Sequence, residues 1–103
     1  MIIITGTIRF ESVDELERVK TALVRRAARS RTDVGNIDYV FTQNLEDPTE
    51  IRLVEKWGSE AQLNEHLKVP DEEFQDVIGN ARISSAVVVA HDGDNERVLL
   101  ELP

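Results

Sequence analysis

Glu55, Trp57 and His66 are the residues of this sequence whose types and spacing could do chemistry together. Residues 51–57 alternate as in a β-strand, which places Glu55 and Trp57 on one face near the strand end. His66 follows nine residues after Trp57, on a predicted helix. That interval covers a turn and about two helical turns, so the helix returns over the sheet. Trp57 and His66 are therefore predicted to line one cleft.

An imidazole in such a cleft suits proton transfer. Partly buried beside an indole, it is neutral near pH 7 and can act as a general base toward a weak acid such as a phenol. A purely structural interpretation stays open at this point, since a lone histidine rarely identifies a site. In that interpretation Trp57 is a core residue, Glu55 pairs with an arginine of a neighbouring strand, and His66 caps a short helix at the surface.

Other kinds of chemistry are disfavoured by the composition. The chain has no Cys, which excludes disulfides, thiol nucleophiles and iron–sulfur ligation. His66 and His91 are the two histidines, and neither has a second ligand at a recognised metal-binding spacing. The glycines are scattered singly, and no serine lies in a Gly-x-Ser-x-Gly motif. We therefore predict no metal site and no nucleotide or flavin cofactor.

Length and charge limit the classes of protein that remain. The 103 residues, 41% of them hydrophobic, predict a single globular domain over residues 1–103. With 12 basic and 20 acidic side chains the formal net charge is −8, which disfavours nucleic-acid binding. The longest apolar stretches, residues 1–4 and 86–90, are far too short for a membrane span or a signal peptide. We predict a cytoplasmic protein that binds neither nucleic acid nor membranes.

The apolar pattern predicts two consecutive β-α-β units. Strands are predicted over residues 2–10, 37–45, 51–57 and 82–91, and helices over residues 12–31, 59–69 and 71–79. Ser12 with Glu15, and Ser59 with Gln62, form capping boxes at two helix starts. This approximate duplication predicts an α+β fold with a ferredoxin-like split β-α-β repeat, in which helices cover one face of a four-stranded antiparallel sheet.

Several basic residues lie near the end of the first helix: Arg25, Arg26, Arg29 and Arg31. Positive charges at this position are favourable to the helix dipole. That explanation is sufficient, and the sequence assigns these arginines no further role.

The second face of the sheet is predicted to need a cover. Ile3 lies opposite Ile2 and Ile4 on the first strand, and the fourth strand likewise carries valines on both sides. Helices bury only one face, and the other would be a large apolar patch for a monomer. We therefore predict a homodimer built face to face through the sheets.

Residues 91–103 extend the core fold of residues 2–90. Asp92-Gly93-Asp94-Asn95 is a strong turn signal, and apolar residues recur over 98–102. We predict a short C-terminal strand that pairs with the fourth strand or with a partner subunit.

Four segments carry a resemblance to a known family: residues 35–39 (Gly-Asn-Ile-Asp-Tyr), 46–48 (Glu-Asp-Pro), 55–66 (Glu-Lys-Trp through His) and Phe74. They fit a pattern of Gly-x-x-x-Tyr, an Asp-Pro turn, Glu-x-Trp, a His on the next helix and a later Phe. Over about residues 2–90 the chain resembles the antibiotic biosynthesis monooxygenase domain family. Its members are dimeric α+β barrels with ferredoxin-like subunits, so the resemblance implies the same fold and homodimer.

The family includes oxygenases of quinols and polyketide phenols that use neither metal nor flavin, haem-degrading enzymes and an isomerase. The resemblance implies that His66 is the base that deprotonates a phenol or quinol, followed by one-electron transfer to O2 and recombination. Trp57 and Phe74 would stack on the ring, and Glu55 or Tyr39 would orient it. We therefore predict a cofactor-independent monooxygenase whose partners are a small aromatic substrate and O2.

Three alternatives stay open. A dimer of the same fold could bind a small molecule without catalysis. The haem-degrading branch pairs its Trp and His with an Asn on the first strand, where this sequence has Thr-Gly-Thr at residues 5–7, although His66 could still be an axial haem ligand. Isomerisation of a small phosphorylated sugar-like ketone would need an anion site, which Arg52 or Arg82 could supply.

Overall fold

A computed structural model of the chain describes residues 1–103 and contains four strands and three helices. The elements are β1 (Ile2–Phe10), α1 (Val13–Ser30), β2 (Asn36–Gln43), β3 (Glu50–Trp57), α2 (Glu60–Lys68), α3 (Glu72–Gly79) and β4 (Ile83–Asp92). Each strand and helix predicted over residues 2–91 is confirmed, with ends that differ by at most two residues. No helix is long and apolar enough to cross a membrane.

The predicted serine N-caps form at the starts of α1 and α2, without the return bond of a full capping box, since the Glu15 carboxylate instead binds Arg18 and the backbone N–H of Arg82. The backbone N–H of Glu15 donates to Ser12 Oγ at 3.1 Å, and that of Gln62 donates to Ser59 Oγ at 3.2 Å. Each cap satisfies an N–H group that has no partner inside its helix and stabilises the helix by about 1 kcal/mol.

Pro70 separates α2 from α3. The residue before a proline is pushed toward extended backbone, and Val69 accordingly adopts φ −80° and ψ 119°. α3 then restarts at Asp71, whose side chain accepts the backbone N–H of Phe74 at 3.2 Å. The second half of the duplication therefore carries two short helices where the first half carries one long helix.

The four strands form one antiparallel sheet in the order β2-β3-β1-β4. The central strand β1 pairs with β3 on one side and with β4 on the other, so Ile8 is flanked by Ile51 and Ala86. This order is the one that two interleaved β-α-β units produce, and it confirms the ferredoxin-like α+β fold.

The helices bury the inner face of the sheet in two neighbouring clusters. The first comprises Ile4, Ala27, Tyr39, Leu53, Trp57 and Leu63. The second comprises Ile8, Phe10, Leu16, Val19, Leu23 and Ile51, with Phe41 and Phe74 packed against it. Alternate residues of β1 and β3 supply these clusters, as the period of two in the sequence predicts.

A β-bulge interrupts this alternation at the start of β2. Asn36 pairs with Trp57 and Asp38 pairs with Lys56, which leaves Ile37 as an extra, exposed residue. The alternation of apolar and polar residues over 37–45 predicts that Ile37 shares the face of Tyr39, and the bulge makes this prediction wrong.

β4 differs from the other strands because it lies at the sheet edge and no helix packs closely over it. Every residue from Ser84 to Asp92 is exposed. Val87, Val88 and Val89 are 64%, 54% and 43% exposed, so apolar side chains meet solvent on both faces of the strand.

The predicted fifth strand does not form within the chain. Residues 93–103 contain no strand, and the apolar side chains of residues 98–100 and 102 are 73–91% exposed. The N–H of Gly93 donates to Met1 O at 2.8 Å, so the chain continues past the start of β1 and does not turn back along β4. A four-residue segment paired with a single exposed edge gains too little buried apolar surface to be held there.

Candidate functional site

An aromatic group at one end of the inner face brings together residues from β2, β3 and α2. Trp57 ends β3 and is fully buried, and His66 on α2 lies over it with 3% exposure. The two ring centroids are 4.5 Å apart with an interplanar angle of 34°. Tyr39 of β2 meets His66 edge-on at 5.9 Å. The structure thus places Trp57 and His66 side by side. His66 is buried, whereas the purely structural interpretation of the sequence placed it at the surface.

Glu55 lies beneath this group on the same face of β3. It accepts the indole N–H of Trp57 at 2.9 Å, so it pairs with the indole and not with an arginine of a neighbouring strand. Burial raises the pKa of Glu55, against the opposing effects of that hydrogen bond and of the nearby His66 and Arg26 side chains. Burial and the Glu55 carboxylate together raise the pKa of Tyr39, whose hydroxyl therefore stays protonated at neutral pH.

The two ring nitrogens of His66 have different partners. Nδ1 lies 2.6 Å from Asp33 Oδ2, and Nε2 lies 3.2 Å from Arg26 Nη2. A guanidinium only donates and a carboxylate only accepts, so we assign the proton to Nδ1 and the lone pair to Nε2. The nitrogen able to accept a proton is therefore Nε2, and in this structure Arg26 donates to it.

Asp33 is placed by the turn that joins α1 to β2. Its N–H donates to Ser30 O at 3.1 Å, and its own carbonyl accepts the N–H of Asn36 at 3.1 Å. Gly35 allows the reversal because its φ is +88°, a left-handed conformation that other residues rarely adopt. The turn directs the Asp33 carboxylate at His66.

Arg26, on the inner face of α1, connects His66 to the start of α3. Its Nη1 lies 3.4 Å from Asp71 Oδ2, and the same oxygen is 3.2 Å from Arg29 Nη1. The Arg26 guanidinium carbon lies 5.1 Å from the centroid of the Phe74 ring. Its Nε is buried and has no hydrogen-bond partner. The guanidinium is thus held on three sides and has one free donor.

Phe74 is not part of the group around Trp57. It belongs to α3 and packs on Phe41 of β2, with ring centroids 6.4 Å apart. The connection from Phe74 to His66 runs through Arg26. Of the five predicted site residues, the structure brings Glu55, Trp57, His66 and Tyr39 together and places Phe74 in the adjacent cluster.

Asp33 and Arg26 are the site residues that the sequence analysis missed. Asp33 lies 33 residues before His66, and Arg26 lies 40 residues before it. Neither spacing belongs to a recognised motif. On the predicted helix Arg26 lies four residues after Ala22 and three after Leu23, a spacing that indicates an inward-facing arginine, and this was the available signal.

A cavity of about 200 Å³ opens beside His66, lined by Asp33, Val34, Gln62, Glu65, His66 and Val69. It is smaller than the roughly 300–1,000 Å³ of sites for drug-sized ligands, so it fits a single small ring. Arg52 and Arg82 lie elsewhere: Arg52 lines a separate cavity of about 240 Å³ on the open sheet face, and Arg82 is near Glu11 and Glu15. Neither Arg52 nor Arg82 therefore supplies a phosphate site at the cavity beside His66.

Haem does not fit this site. The cavity is far smaller than a porphyrin, and both nitrogens of His66 already have protein partners. The inner face of β1 carries Ile4 and Gly6. It therefore has no amide side chain at the place where the haem-degrading enzymes carry an Asn.

Comparison with solved structures finds the same fold in several proteins of low sequence identity. A candidate antibiotic biosynthesis monooxygenase from Deinococcus radiodurans superposes with a TM-score of 0.86 at 19% identity, covering 98% of this chain and 100% of that one. Another from Nitrosomonas europaea gives 0.79 at 18% identity, with 90% and 98% covered. A conserved protein of unknown function from Bacteroides thetaiotaomicron gives 0.73 at 17% identity, with 87% and 94% covered.

The sequence itself was also compared with protein families and with curated proteins. No curated protein matches it significantly. The profile of the antibiotic biosynthesis monooxygenase family matches residues 1–78, which include β1 through α3 up to Ile78 and with them all of the residues around His66. The chain therefore belongs to the antibiotic biosynthesis monooxygenase family.

Proposed function

We propose that this protein is a cofactor-independent monooxygenase that acts on a small quinol or phenol in the cavity beside His66. The observation that carries the proposal is the Asp33–His66 pair, in which a carboxylate holds one nitrogen of a buried imidazole at 2.6 Å. Such a pair fixes the tautomer of the imidazole and stabilises the imidazolium that forms when Nε2 takes a proton. Family membership and the adjacent cavity support the same assignment.

The reaction begins with transfer of the hydroxyl proton from the substrate to His66 Nε2. Arg26, which does not line the cavity, must first move away from this nitrogen, which it contacts at 3.2 Å. The resulting anion passes one electron to O2, and the substrate radical and superoxide combine to form a new carbon–oxygen bond. Loss of water from the peroxide then yields the product. For a quinol the sum is quinol plus O2 giving hydroxyquinone plus water, so all four electrons that reduce O2 come from the substrate.

The cavity indicates which substrates suit the site. Val34 and Val69 supply apolar walls, while Asp33 and Glu65 place two carboxyl groups at the lining. These carboxylates repel anionic substituents, so a neutral single-ring quinol or phenol fits better than a carboxylated or phosphorylated compound. Glu55 and Tyr39 do not line the cavity, and we assign them the role of holding Trp57 and His66 in place.

The same proposal includes a homodimer joined through the open faces of the sheets. Val87 and Val89 are exposed there and, with Thr5, Thr7 and Val54, border the shallow cavity of about 240 Å³. Exposed valines on a sheet face that no helix covers support an interface at this face.

Oxygen uptake by protein freed of metals and flavins, measured against a panel of single-ring hydroquinones and phenols, tests the catalytic part. We expect uptake above the spontaneous rate that falls about hundredfold in His66→Gln, the size of a typical general-base contribution. His91→Gln is the matched control, because His91 lies exposed on β4, away from the site.

Uptake that is unchanged in His66→Gln contradicts the role of His66 as base. A second candidate function, binding of a small aromatic compound without turnover, is favoured by the contact between Arg26 and His66 Nε2, which occupies the base nitrogen. Binding of the panel compounds without any uptake above the spontaneous rate supports that candidate instead.

A further inference from the structure

We propose that Arg26 is a second catalytic residue, which occupies His66 Nε2 in the free protein and donates to the phenolate oxygen of the substrate once the proton has moved. This proposal rests on the proposed function for the identity of the substrate. It assigns to Arg26 the stabilisation of the anion, while His66 accepts the proton.

The contacts of Arg26 carry the proposal. Its Nη2 is the group at His66 Nε2, at 3.2 Å, so a hydroxyl that reaches this nitrogen must arrive next to the guanidinium. The side chain is 12% exposed and its Nε is buried without an acceptor. A buried donor without a partner is destabilising, and a phenolate oxygen on the guanidinium edge that carries Nε and Nη2 would supply the missing acceptor.

The surrounding charges show why an anion would need this residue. Asp33, Glu55 and Asp71 all lie around the His66–Arg26 contact, and Tyr39 adds a hydroxyl. A phenolate beside these acidic side chains is repelled. The Arg26 guanidinium, in direct contact with the base, offsets that repulsion at the oxygen where the charge develops.

The geometry also requires Arg26 to move. A substrate oxygen that is hydrogen-bonded to both Arg26 Nη2 and His66 Nε2 needs these two nitrogens to be about 4.5 Å apart. Each hydrogen bond is about 2.8 Å long, and the angle at the oxygen is near tetrahedral. The present separation is 3.2 Å. Arg26 must therefore withdraw from His66 by somewhat more than an ångström when the substrate enters.

The connection between α2 and α3 can couple this movement to substrate entry. Val69 lines the cavity beside His66, and Asp71, two residues later, binds Arg26. The Nη1 to Asp71 Oδ2 distance of 3.4 Å is long for an ion pair between partly buried groups, and Arg29 holds the same oxygen at 3.2 Å. Asp71 therefore keeps one cationic partner when Arg26 shifts.

The test uses 4-nitrophenol, whose phenolate is yellow, so that its ionisation can be followed without turnover. The full-length protein, Arg26→Gln and Arg29→Gln are titrated with it over a range of pH. Arg29→Gln is the matched control, because it removes the same charge and the same Asp71 partner from α1 but no contact with His66. We expect the parent and Arg29→Gln to bind the phenolate form, so that bound nitrophenol ionises at a lower pH than nitrophenol free in solution.

In Arg26→Gln we expect the affinity for the phenolate to fall about tenfold, with the ionisation of bound nitrophenol moved to higher pH. Arg26→Lys, which keeps the charge, should restore part of the shift, and it serves as the test if the Gln variant does not fold. The same ionisation curve in all variants, or no bound phenolate in the parent, overturns the proposal.

The outcomes also separate this proposal from the proposed function. Oxygen uptake that depends on His66, together with nitrophenol ionisation that does not depend on Arg26, leaves the monooxygenase assignment intact and refutes the role of Arg26. Ionisation that depends on Arg26 without oxygen uptake on any panel compound supports anion binding by Arg26 and contradicts the assignment of the protein as a monooxygenase.

Discussion

The inner face of β1–β3 and the strand β4 are built from similar apolar residues but have different surroundings. Under α1 and α2 the side chains are closely packed, and Trp57 is fully buried. On β4 every residue from Ser84 to Asp92 is exposed, although the strand is paired along β1. The inner face therefore supplies the core and the candidate site, while β4 contributes backbone pairing and a surface. Substitutions in the two regions should change different properties of the protein.

The largest difference is expected between Trp57→Ala and Val87→Ala. Removing the indole leaves a large cavity and deprives Glu55 of its donor, so the free energy of unfolding should fall by about 3–5 kcal/mol. Val87→Ala removes methyl groups that are already largely in solvent, so the free energy of unfolding of the monomer should change by less than about 0.5 kcal/mol. Urea denaturation at low protein concentration measures both. Equal losses would contradict the division into two regions.

Asp33→Asn tests the site within the inner region. The amide can donate to His66 Nδ1, which favours the wrong tautomer, and it no longer stabilises the imidazolium. We expect the rate of oxygen uptake to fall about hundredfold, with little change in the free energy of unfolding. Glu65→Gln is the control, since Glu65 lines the same cavity and pairs with Lys68. A loss of uptake in both variants would indicate a general effect of charge.

Val89→Asp tests the open face of β4. If two copies meet through this face, a buried carboxylate at the interface should weaken dimerisation at least about tenfold. Val88→Asp is the matched control, because Val88 lies next to it on the opposite face of the same strand. Sedimentation at micromolar concentration distinguishes the variants, and a parent protein that is monomeric under these conditions contradicts the dimer.

Glu15→Gln affects a contact that joins the two regions. The Arg18 side chain and the backbone N–H of Arg82 lower the pKa of Glu15 from 4.5 to about 2. A carboxyl whose folded pKa is depressed adds stability above its unfolded pKa, and this stability is lost as the pH falls toward the folded value. The parent should therefore lose stability between about pH 5 and pH 2, and this part of the pH dependence should be absent in Glu15→Gln. Thermal unfolding across this range shows the difference.

Glu55→Gln should have the smallest effect, and it should have the opposite sign. Burial raises the pKa of Glu55, so its folded form favours the proton, and stability is lost as the pH rises from the unfolded pKa through the raised one. The glutamine oxygen can still accept the Trp57 N–H. We expect Glu55→Gln to be slightly more stable than the parent at pH 7 and no more stable at pH 4. Destabilisation at neutral pH would show that the ionised carboxylate contributes to folding.

The strands and helices were predictable because they depend on local patterns. The capping serines Ser12 and Ser59 and the alternation along β1 and β3 require only neighbouring residues to be interpreted. The bulge at Ile37 was not predictable, since it depends on how β2 pairs with β3.

The candidate site was predictable only in part. The contact of Trp57 with His66 follows from a single turn and helix, whereas Arg26 on α1 and Asp33 in the turn after α1 reach His66 only through side-chain contacts between segments far apart in the sequence. A helix dipole accounts for an arginine near the end of α1 whether it faces solvent or the core. The structure shows that Arg26 faces the core, and it identifies Arg26 and Asp33 as the partners of the two imidazole nitrogens of His66.

The side chain of Gln62 packs against two glycines, Gly35 and Gly58. These glycines are joined by a hydrogen bond of 2.9 Å, which Gly58 N donates to Gly35 O. A Cβ at Gly58 would come within 2.6 Å of Gln62 Oε1, and a Cβ at Gly35 would overlap the same side chain. Gln62 also lines the cavity beside His66. In evolution a side chain at position 58 should therefore go with a moved or shorter residue 62, which changes the cavity and the range of rings it accepts, whereas Gly35, whose φ of +88° disfavours any side chain, should stay glycine.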